Sequence, residues 1–397
     1  MTSLRKAFRA AVILSLMAWA ASGPLQAQVL HYAALPLGWC NILGPSSPAG
    51  TAMGETVFGG QGPQAGFLNP GLLGLDGLTE ASFVFRLAHS TYRTRMYDPV
   101  SMTNDLMKWR RDTVLPEWGG FVFAAGGWRF AGGYSLAEEY NRPEVSFEPG
   151  QLDGQSGRLH GLNAAVARSF SGSLGVGISF SYRFGKIDRT YDRRLWWNGE
   201  YLEQHYRLRG LAVNFGFAWK LSERVQFGLA LRPPVKMALE FEYLRTYEDP
   251  PDAQSGSAEG FYKLPLAVVM SAAVRIDERS SLTADLSYWA WNTVNSGGGS
   301  FPMMVPDGPI NPLRLGLGME HDVKLRPGFL KGLRLRAGYI HDRQHAWGVA
   351  LDYLTGGFGL DLGKVEVEAA AKLALSPVEE YDRTHTTFFQ LGVRHKF

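Results

Sequence analysis

The sequence is short of several things, and each shortage excludes a class of protein. It has one cysteine, Cys40, in 397 residues, so no disulfide can staple the chain to itself. Its 40 Lys+Arg are nearly cancelled by 37 Asp+Glu, for a formal charge of +3, which argues against the basic face of a nucleic-acid binder. Past the first thirty residues no apolar run approaches the ~18 residues of a membrane-spanning helix, so a polytopic helical membrane protein is excluded. Helical periodicity is nearly absent after residue 80. Glycine and aromatics are in excess: 47 glycines exceed the usual ~7% share, and 13% of residues are aromatic. Such a chain asks for many turns and many aromatic anchors.

Arg5, Lys6 and Arg9 precede an apolar stretch from Ala10 to Ala21, followed by Gly23, Pro24 and Leu25-Gln26-Ala27. The pattern predicts a secretory signal peptide over 1–27, with the mature chain starting at Gln28. An anchor is the weaker reading, because about a dozen apolar residues fall short of the ~20 that span a bilayer. A lipid attachment at Cys40 is disfavoured by the bulky Trp39 before it.

From about residue 80 the pattern has period two, the spacing of a strand with unlike faces. Leu211, Val213, Phe215, Phe217 and Trp219 alternate with Ala212, Asn214, Gly216 and Ala218. The same division sets Leu282, Leu286 and Tyr288 against Thr283, Asp285 and Ser287, and Leu333, Leu335 and Tyr339 against Arg334, Arg336 and Gly338. It also sets Leu313, Leu315, Leu317 and Met319 against Arg314, Gly316, Gly318 and Glu320, and Val365, Val367 and Ala369 against Lys364, Glu366 and Glu368. A soluble sandwich would turn the charges to water and the apolar side to a second sheet. A membrane barrel would turn the charges to its lumen and the apolar side to lipid. Periodicity alone leaves both open.

Connection lengths favour the barrel. Short turns at Ser171–Ser173, Leu221–Arg224, Asp277–Ser280 and Gly363-Lys364 interleave with longer stretches at 96–116, 141–157, 247–258 and 294–311, as in barrels with short periplasmic turns and long external loops. Trp128, Trp196, Trp197, Trp219, Tyr288 and Trp289 fall near strand ends, where interfacial girdles belong. The segment Phe388–Phe397, with its terminal aromatic, resembles the C-terminal assembly signal of bacterial outer-membrane proteins. Fourteen strands can be placed between residues 80 and 397. Since about eight already give a barrel that wall side chains can fill, something else must occupy so wide a lumen. The fold expected is therefore an all-β, 14-stranded antiparallel transmembrane barrel over 80–397, with 28–79 as an internal plug; a periplasmic arm is the alternative for that segment.

Several segments then resemble the FadL/TodX family of outer-membrane transporters for long-chain fatty acids and other hydrophobic compounds. Phe67-Leu68-Asn69-Pro70-Gly71 is similar to the family's Asn-Pro-Ala element in the hatch, with Gly71 in place of Ala. Gly185–Arg189 resembles a stretch whose last arginine lies by the ligand head group, and Leu231–Lys236, with Pro233-Pro234, resembles an interrupted strand. Leu264-Pro265, Trp289 with Trp291, and Arg336–Tyr339 with Asp342-Arg343 match further strand ends. The resemblance implies a hatch carrying Asn69, Pro70 and Gly71, and a kinked third strand that opens the wall sideways. That kink is assigned to Gly132 and Gly133; close packing is the alternative reading of these two glycines.

One departure bears on the ligand. Residues 294–311 contain no Lys or Arg, so the family's second basic partner is unmatched, whereas Phe301, Met303 and Met304 there suit an adaptable apolar groove. Arg189, Phe301, Met303 and Met304 are the expected ligand contacts, with a neutral hydrocarbon or aromatic weighed equally with a fatty acid. Arg189 can also be read as a solvated charge among Lys186, Asp188, Arg193 and Arg194.

No nucleophile elbow, metal-binding helix motif or phosphate loop is present. His341, Asp342 and His345, like Glu379, Glu380 and Asp382, read as loop polarity rather than metal ligands. The sequence thus predicts a non-enzymatic channel of the bacterial outer membrane for passive uptake of hydrophobic compounds, with no cofactor and no metal. Its expected partners are apolar small molecules or fatty acids, outer-membrane lipids and the outer-membrane insertion machinery; no nucleic acid is expected, and the protein is expected to be a monomer. A structural or secretion-associated barrel of the same superfamily, a general porin and an outer-membrane hydrolase are the alternatives.

Overall fold

The computed structural model describes residues 47–60, 62–75, 79–98, 103–139, 142–145, 152–193, 199–248, 251–290, 313–325, 330–343, 350–375 and 383–397. The signal-peptide assignment at 1–27, the first part of the plug segment, Trp196, Trp197 and the whole of 294–311 lie outside these residues.

Seventeen strand segments form one sheet: β1 (Glu80–Asp98), β2 (Thr103–Ala125), β3 (Trp128–Glu139), β4 (Arg142–Val145), β5 (Leu152–Phe170), β6 (Leu174–Arg193), β7 (Glu200–Lys220), β8 (Val225–Arg232), β9 (Val235–Glu248), β10 (Pro251–Leu264), β11 (Ala267–Arg275), β12 (Ser280–Trp289), β13 (Leu313–Lys324), β14 (Gly332–Arg343), β15 (Ala350–Asp361), β16 (Val365–Ala374) and β17 (Arg383–Lys396). Every pairing is antiparallel. The sheet closes through β1 and β17, from Glu80↔Lys396 to Arg93↔Arg383. Three couples, β3/β4, β8/β9 and β10/β11, are two halves of one pass each, which leaves fourteen passes. The breaks have a chemical cause. Pro233-Pro234 and Pro265 bring no N–H to the ladder, and they sit side by side, since Val235↔Leu264 and Arg232↔Ala267 flank them.

The alternation resolves in favour of the membrane barrel. Phe83, Phe85, Val114, Phe121, Leu211, Phe215, Phe217 and Leu335 are exposed, with Phe83 and Val114 at 60% and 69%, while Asn214, Asp285, Arg314, Arg336, Glu366 and Glu368 are buried. On β7 the outward apolar run covers nine residues, Trp219 back to Leu211, before Arg209 and Arg207 take over, matching the ~9–11 residues that cross a bilayer. Trp128 and Trp219 mark the turn-side edge of this band. At the loop-side edge Tyr134, His160, Phe184 and Tyr182 stack at centroid distances of 5.6–5.8 Å.

Two expectations change. The stretches at 96–116 and 247–258 are largely strand: β1 and β2 pair as far as Asp98↔Thr103, and β9 and β10 as far as Glu248↔Pro251. Polar residues hid these extensions, but a ladder above the membrane still satisfies backbone groups, so the barrel projects well beyond the bilayer. Trp289 is not an interfacial residue. It shares the inward face of β12 with Thr283, Asp285 and Ser287, and it is buried in the lumen.

Among the described residues three short helices precede the barrel: α1 (Pro48–Ala52), α2 (Ala65–Leu68) and α3 (Pro70–Leu75). Ser47 caps α1, its Oγ accepting from Gly50 N–H at 3.0 Å, and Pro48 opens the first turn, where a missing N–H costs nothing. The segment is almost wholly buried. α1 packs on β14–β17 and α3 on β5–β7, so 47–75 bridges opposite walls of the lumen.

Candidate functional site

The bridging segment is fastened at both ends. At one wall Asn69 Nδ2 donates to the Phe217 carbonyl (3.0 Å), and its Oδ1 accepts from Gly71 N–H (3.0 Å). Arg232 Nε donates to Asn214 Oδ1 (2.6 Å), and Asn214 Nδ2 donates to the Phe67 carbonyl (2.8 Å). The hatch backbone here lies against strand backbone. A Cβ on Gly216 would stand 2.3 Å from Asn69 Oδ1, and one on Gly175 would stand 2.1 Å from the Gly71 carbonyl oxygen. Gly71 explains its own departure from the resembling motif, because an alanine Cβ there would meet Ala218 N at 2.7 Å. At the other wall Gly54 N–H donates to Thr355 Oγ1 (3.1 Å), which donates to the Ala52 carbonyl (3.0 Å), and Val57 N–H donates to Asp285 Oδ2 (2.7 Å).

The two sides of the lumen differ in chemistry. From β5 round to β12 the inward face above the hatch carries an apolar cluster, in which Leu159, Ile187, Leu208, Met237, Leu239 and Trp289 join Val57 and Leu68, with Arg183, Arg189 and Gln155 on the same face. From β13 round to β1 the inward residues are ionised. Near the turn end Arg334 Nη1 meets Glu366 Oε1 at 2.9 Å and Arg336 Nη1 meets Glu368 Oε1 at 3.1 Å, with Arg394 on Glu366 and Glu80 beside them. Removing one partner from such a buried network strands the other charge. Higher up, Glu55 of the hatch is held by Arg314 and Lys372.

The wall itself has a weak seam. Among the described residues β2 and β3 pair over eight positions, from Ala125↔Trp128 to Trp118↔Ser135. Above that level the partners among the described residues are β1 for β2, up to Thr103, and β5 for β3, up to Glu139↔Arg158. Local irregularities cause the parting. Pro116 lacks the N–H a ladder needs, Glu117 is squeezed into a bulge opposite Val84/Phe85, and β3 bulges at Leu136–Glu138. The foot of the seam lies at the top of the lipid-facing band, with exposed Val114 above it. Inside, Ala137 packs against the apolar cluster, and Arg86 lies 3.9 Å from Glu117 and 3.5 Å from Glu139, reaching across the parting. Trp118 ties the seam to the hatch. Its ring is 5.3 Å from that of Phe67, and its Nε1 donates to Ser82 Oγ (2.9 Å), which donates to Gln64 Oε1 (3.1 Å).

Of the residues the sequence singles out, Asn69, Pro70 and Gly71 form the hatch contact above. Gly132 and Gly133 lie just below the seam, each paired on both sides. A Cβ on Gly133 would meet Trp118 Cη2 at 2.6 Å, so that glycine admits the indole. Arg189 shares the inward face of β6 with Ile187, opposite Gln155 and Gln204. Phe301, Met303 and Met304 fall outside the described residues. Sequence reasoning missed Trp118, Glu55 and the Asn214–Arg232 relay. Pro116 inside a strand-like run was a readable signal for the seam, whereas no local pattern marked the others.

No known family model and no curated protein sequence matches the chain. Solved structures do. A Pseudomonas aeruginosa FadL homologue superposes with a TM-score of 0.69 at 12% identity, covering 89% of this chain and 98% of its own. The Ralstonia pickettii toluene transporter TbuX gives 0.62 at 14%, covering 90% and 99%. The Pseudomonas putida toluene transporter TodX gives 0.61 at 13%, covering 89% and 99%. At such identities the likeness is one of architecture: the chain has the closed fourteen-pass barrel fold of the FadL- and TodX-type transporters.

Proposed function

We propose that the protein is a channel of the bacterial outer membrane for passive uptake of hydrophobic compounds, which enter the lumen from the loop side and leave sideways between β2 and β3. The observation that carries this reading is the seam, a stretch of wall at the top of the lipid-facing band where, among the described residues, β2 and β3 do not pair; inside it Ala137 adjoins the apolar cluster and Arg86, Glu117 and Glu139 span the parting. Unpaired strand edges are not tolerated against hydrocarbon unless they line a cavity or passage. Two edges left apart at this depth are therefore accounted for by an outlet. An apolar solute that slides into the bilayer keeps its surface out of water, worth about 25 cal/mol per Å². Neither energy nor chemistry is required of the protein.

Residues 47–75 act as the hatch that blocks the direct aqueous route, and the charged network beneath them makes that route unfavourable for an apolar solute. Neutral aromatics are supported as cargo by the toluene transporters among the similar folds and by the lack of Lys or Arg in 294–311. Arg189, together with Phe301, Met303 and Met304 outside the described residues, remain proposed ligand contacts.

A staple across the seam tests the reading. In a Cys40→Ser background, Glu117→Cys with Leu136→Cys should cross-link on oxidation, since these positions follow directly on the Trp118↔Ser135 pair. Uptake of labelled toluene into proteoliposomes is expected to fall at least about tenfold in the oxidised protein, a closed gate acting as a population cut, and to return on reduction. Unchanged uptake in fully cross-linked protein would rule out an exit at the foot of the seam.

A further inference from the structure

We propose that a belt of cations on the outer face of β5–β10, at the loop-side edge of the lipid-facing band, binds the phosphate groups of a phosphorylated lipid in the surrounding leaflet. The inference rests on the outer-membrane reading above and adds to it a lipid partner held outside the barrel.

Arg158, Lys186, Arg207, Arg209, Lys236 and Lys263 alternate with the buried Leu159, Ile187, Leu208, Met237 and Leu264, so their side chains leave the wall on its outer side. Register lines them up. Arg158↔Lys186 and Lys186↔Arg207 are direct cross-strand neighbours, and so are Lys236↔Lys263. Adjacent strands lie about 4.8 Å apart, and like charges directly opposite one another destabilise a sheet. An anionic head group laid across the row turns that repulsion into charge-assisted bonding.

Acids do not cancel the belt. Glu240 takes Arg209 at 2.8 Å and reaches Arg207 only at 4.0 Å, and Glu259 stands beside Glu240 in register. Glu139 is in register with Arg158, but its carboxylate lies 3.5 Å from Arg86. Asp188 and Glu242 flank His205 one row further from the membrane, and Asp188 meets that ring at 2.7 Å. Among the described residues no acid forms an ion pair with Arg158 or Lys186. Positive charge is therefore in excess, and it is the charge nearest the lipid.

What lies below the belt makes the ligand a lipid. Leu162, Tyr182 and Leu211, four residues nearer the membrane centre on the same three strands, form one exposed row. Phe261 offers its ring to Lys236 and Lys263, at 4.1 and 5.5 Å. A phosphate on the belt would carry its acyl chains down over these side chains and cover apolar surface that a free phosphate leaves bare. The opposite sector differs: at the loop-side edge of β14 and β15, Tyr339 and His341 both bond to Asp352. The lipid is thus held on one side of the barrel, beginning at β5, the strand that pairs with β3 beside the seam.

Native mass spectrometry of the full-length mature protein in neutral detergent micelles, titrated with diphosphorylated lipid A, tests this. Lipid A stripped of both phosphates is expected to bind at least about tenfold more weakly, and binding of the intact lipid to fall as salt is raised. Arg158→Gln with Lys186→Gln should weaken lipid A binding about tenfold, whereas Lys364→Gln, in the turn before β16, should leave it unchanged. The comparison of the two lipids on wild type needs no variant. Equal binding of the dephosphorylated lipid, unchanged binding in the double variant, or an equal loss in Lys364→Gln would overturn the proposal. Toluene uptake into phosphatidylcholine proteoliposomes without lipid A reports separately on the channel reading.

Discussion

Gly216→Val is expected to produce a leaky barrel: properly inserted, but passing ions where the wild type passes almost none. The side chain would have to occupy space already filled by Asn69 Oδ1, 2.3 Å from the new Cβ, and by Pro70 Cδ and N at 2.5 Å. These are parts of the hatch, which is tethered to the wall and not part of its ladder. The strain is therefore relieved by undocking the hatch, with loss of the Asn69 bond to Phe217 and of the Asn214 bond to Phe67. Each such bond contributes about 0.5–1.5 kcal/mol net, so the docked population should collapse while β6, β7 and β8 keep their pairing. Single-channel recording in planar bilayers measures this. A steady conductance near that of a hatch-deleted protein is the expected outcome, and a closed channel with normal insertion would show that the segment does not seal the lumen.

Gly133→Val should have the larger effect on the fold. Here the clash is with the wall itself, Gly119 O at 2.7 Å and the ring of Trp118 at 2.6 Å. Neither can move without breaking the β2–β3 ladder, which has only eight pairs to lose. An edge opened within the hydrocarbon leaves backbone groups unsatisfied at several kcal/mol each, so heat-modifiable folded protein is expected to disappear from the membrane fraction. Gly132→Ala is the matched control. Its Cβ points outward and meets the Phe121 ring at 3.2 Å, a contact a lipid-facing ring can yield, and insertion should survive. Normal insertion of Gly133→Val would mean that the seam already extends below Ser135.

The contrast between these glycines shows what the sequence could and could not disclose. Strand number and facing were legible because a barrel wall writes period two into every pass: the partition of Leu211–Trp219 from Ala212–Ala218 in the sequence is the partition of lipid from lumen in the structure. The Pro233-Pro234 interruption was legible through the family resemblance, and its local cause is two residues that bring no N–H to the ladder. Strand length was not, since β1, β2, β9 and β10 run past the membrane with polar residues on both faces, where alternation has no solvent contrast to record. Gly132 and Gly133 stand out in the sequence as a pair but serve different sides of the wall. The parting is set higher up by Pro116 and by the bulge at Leu136–Glu138. Glu55 was invisible because its partners lie 259 and 317 residues away in the chain, and only closure of the barrel brings them together.

The most direct test of sideways exit is to ask where a moving ligand touches the wall. A small apolar diazirine, loaded from the loop side into proteoliposomes and photolysed during uptake, is expected to label peptides from 114–118 and 134–139 on the two lips of the seam, together with the apolar lining at Leu159, Ile187 and Leu208. Labelling that bypasses both lips and concentrates below the hatch, around Glu80, Glu366 and Arg394, would place the route through the barrel floor and contradict the account.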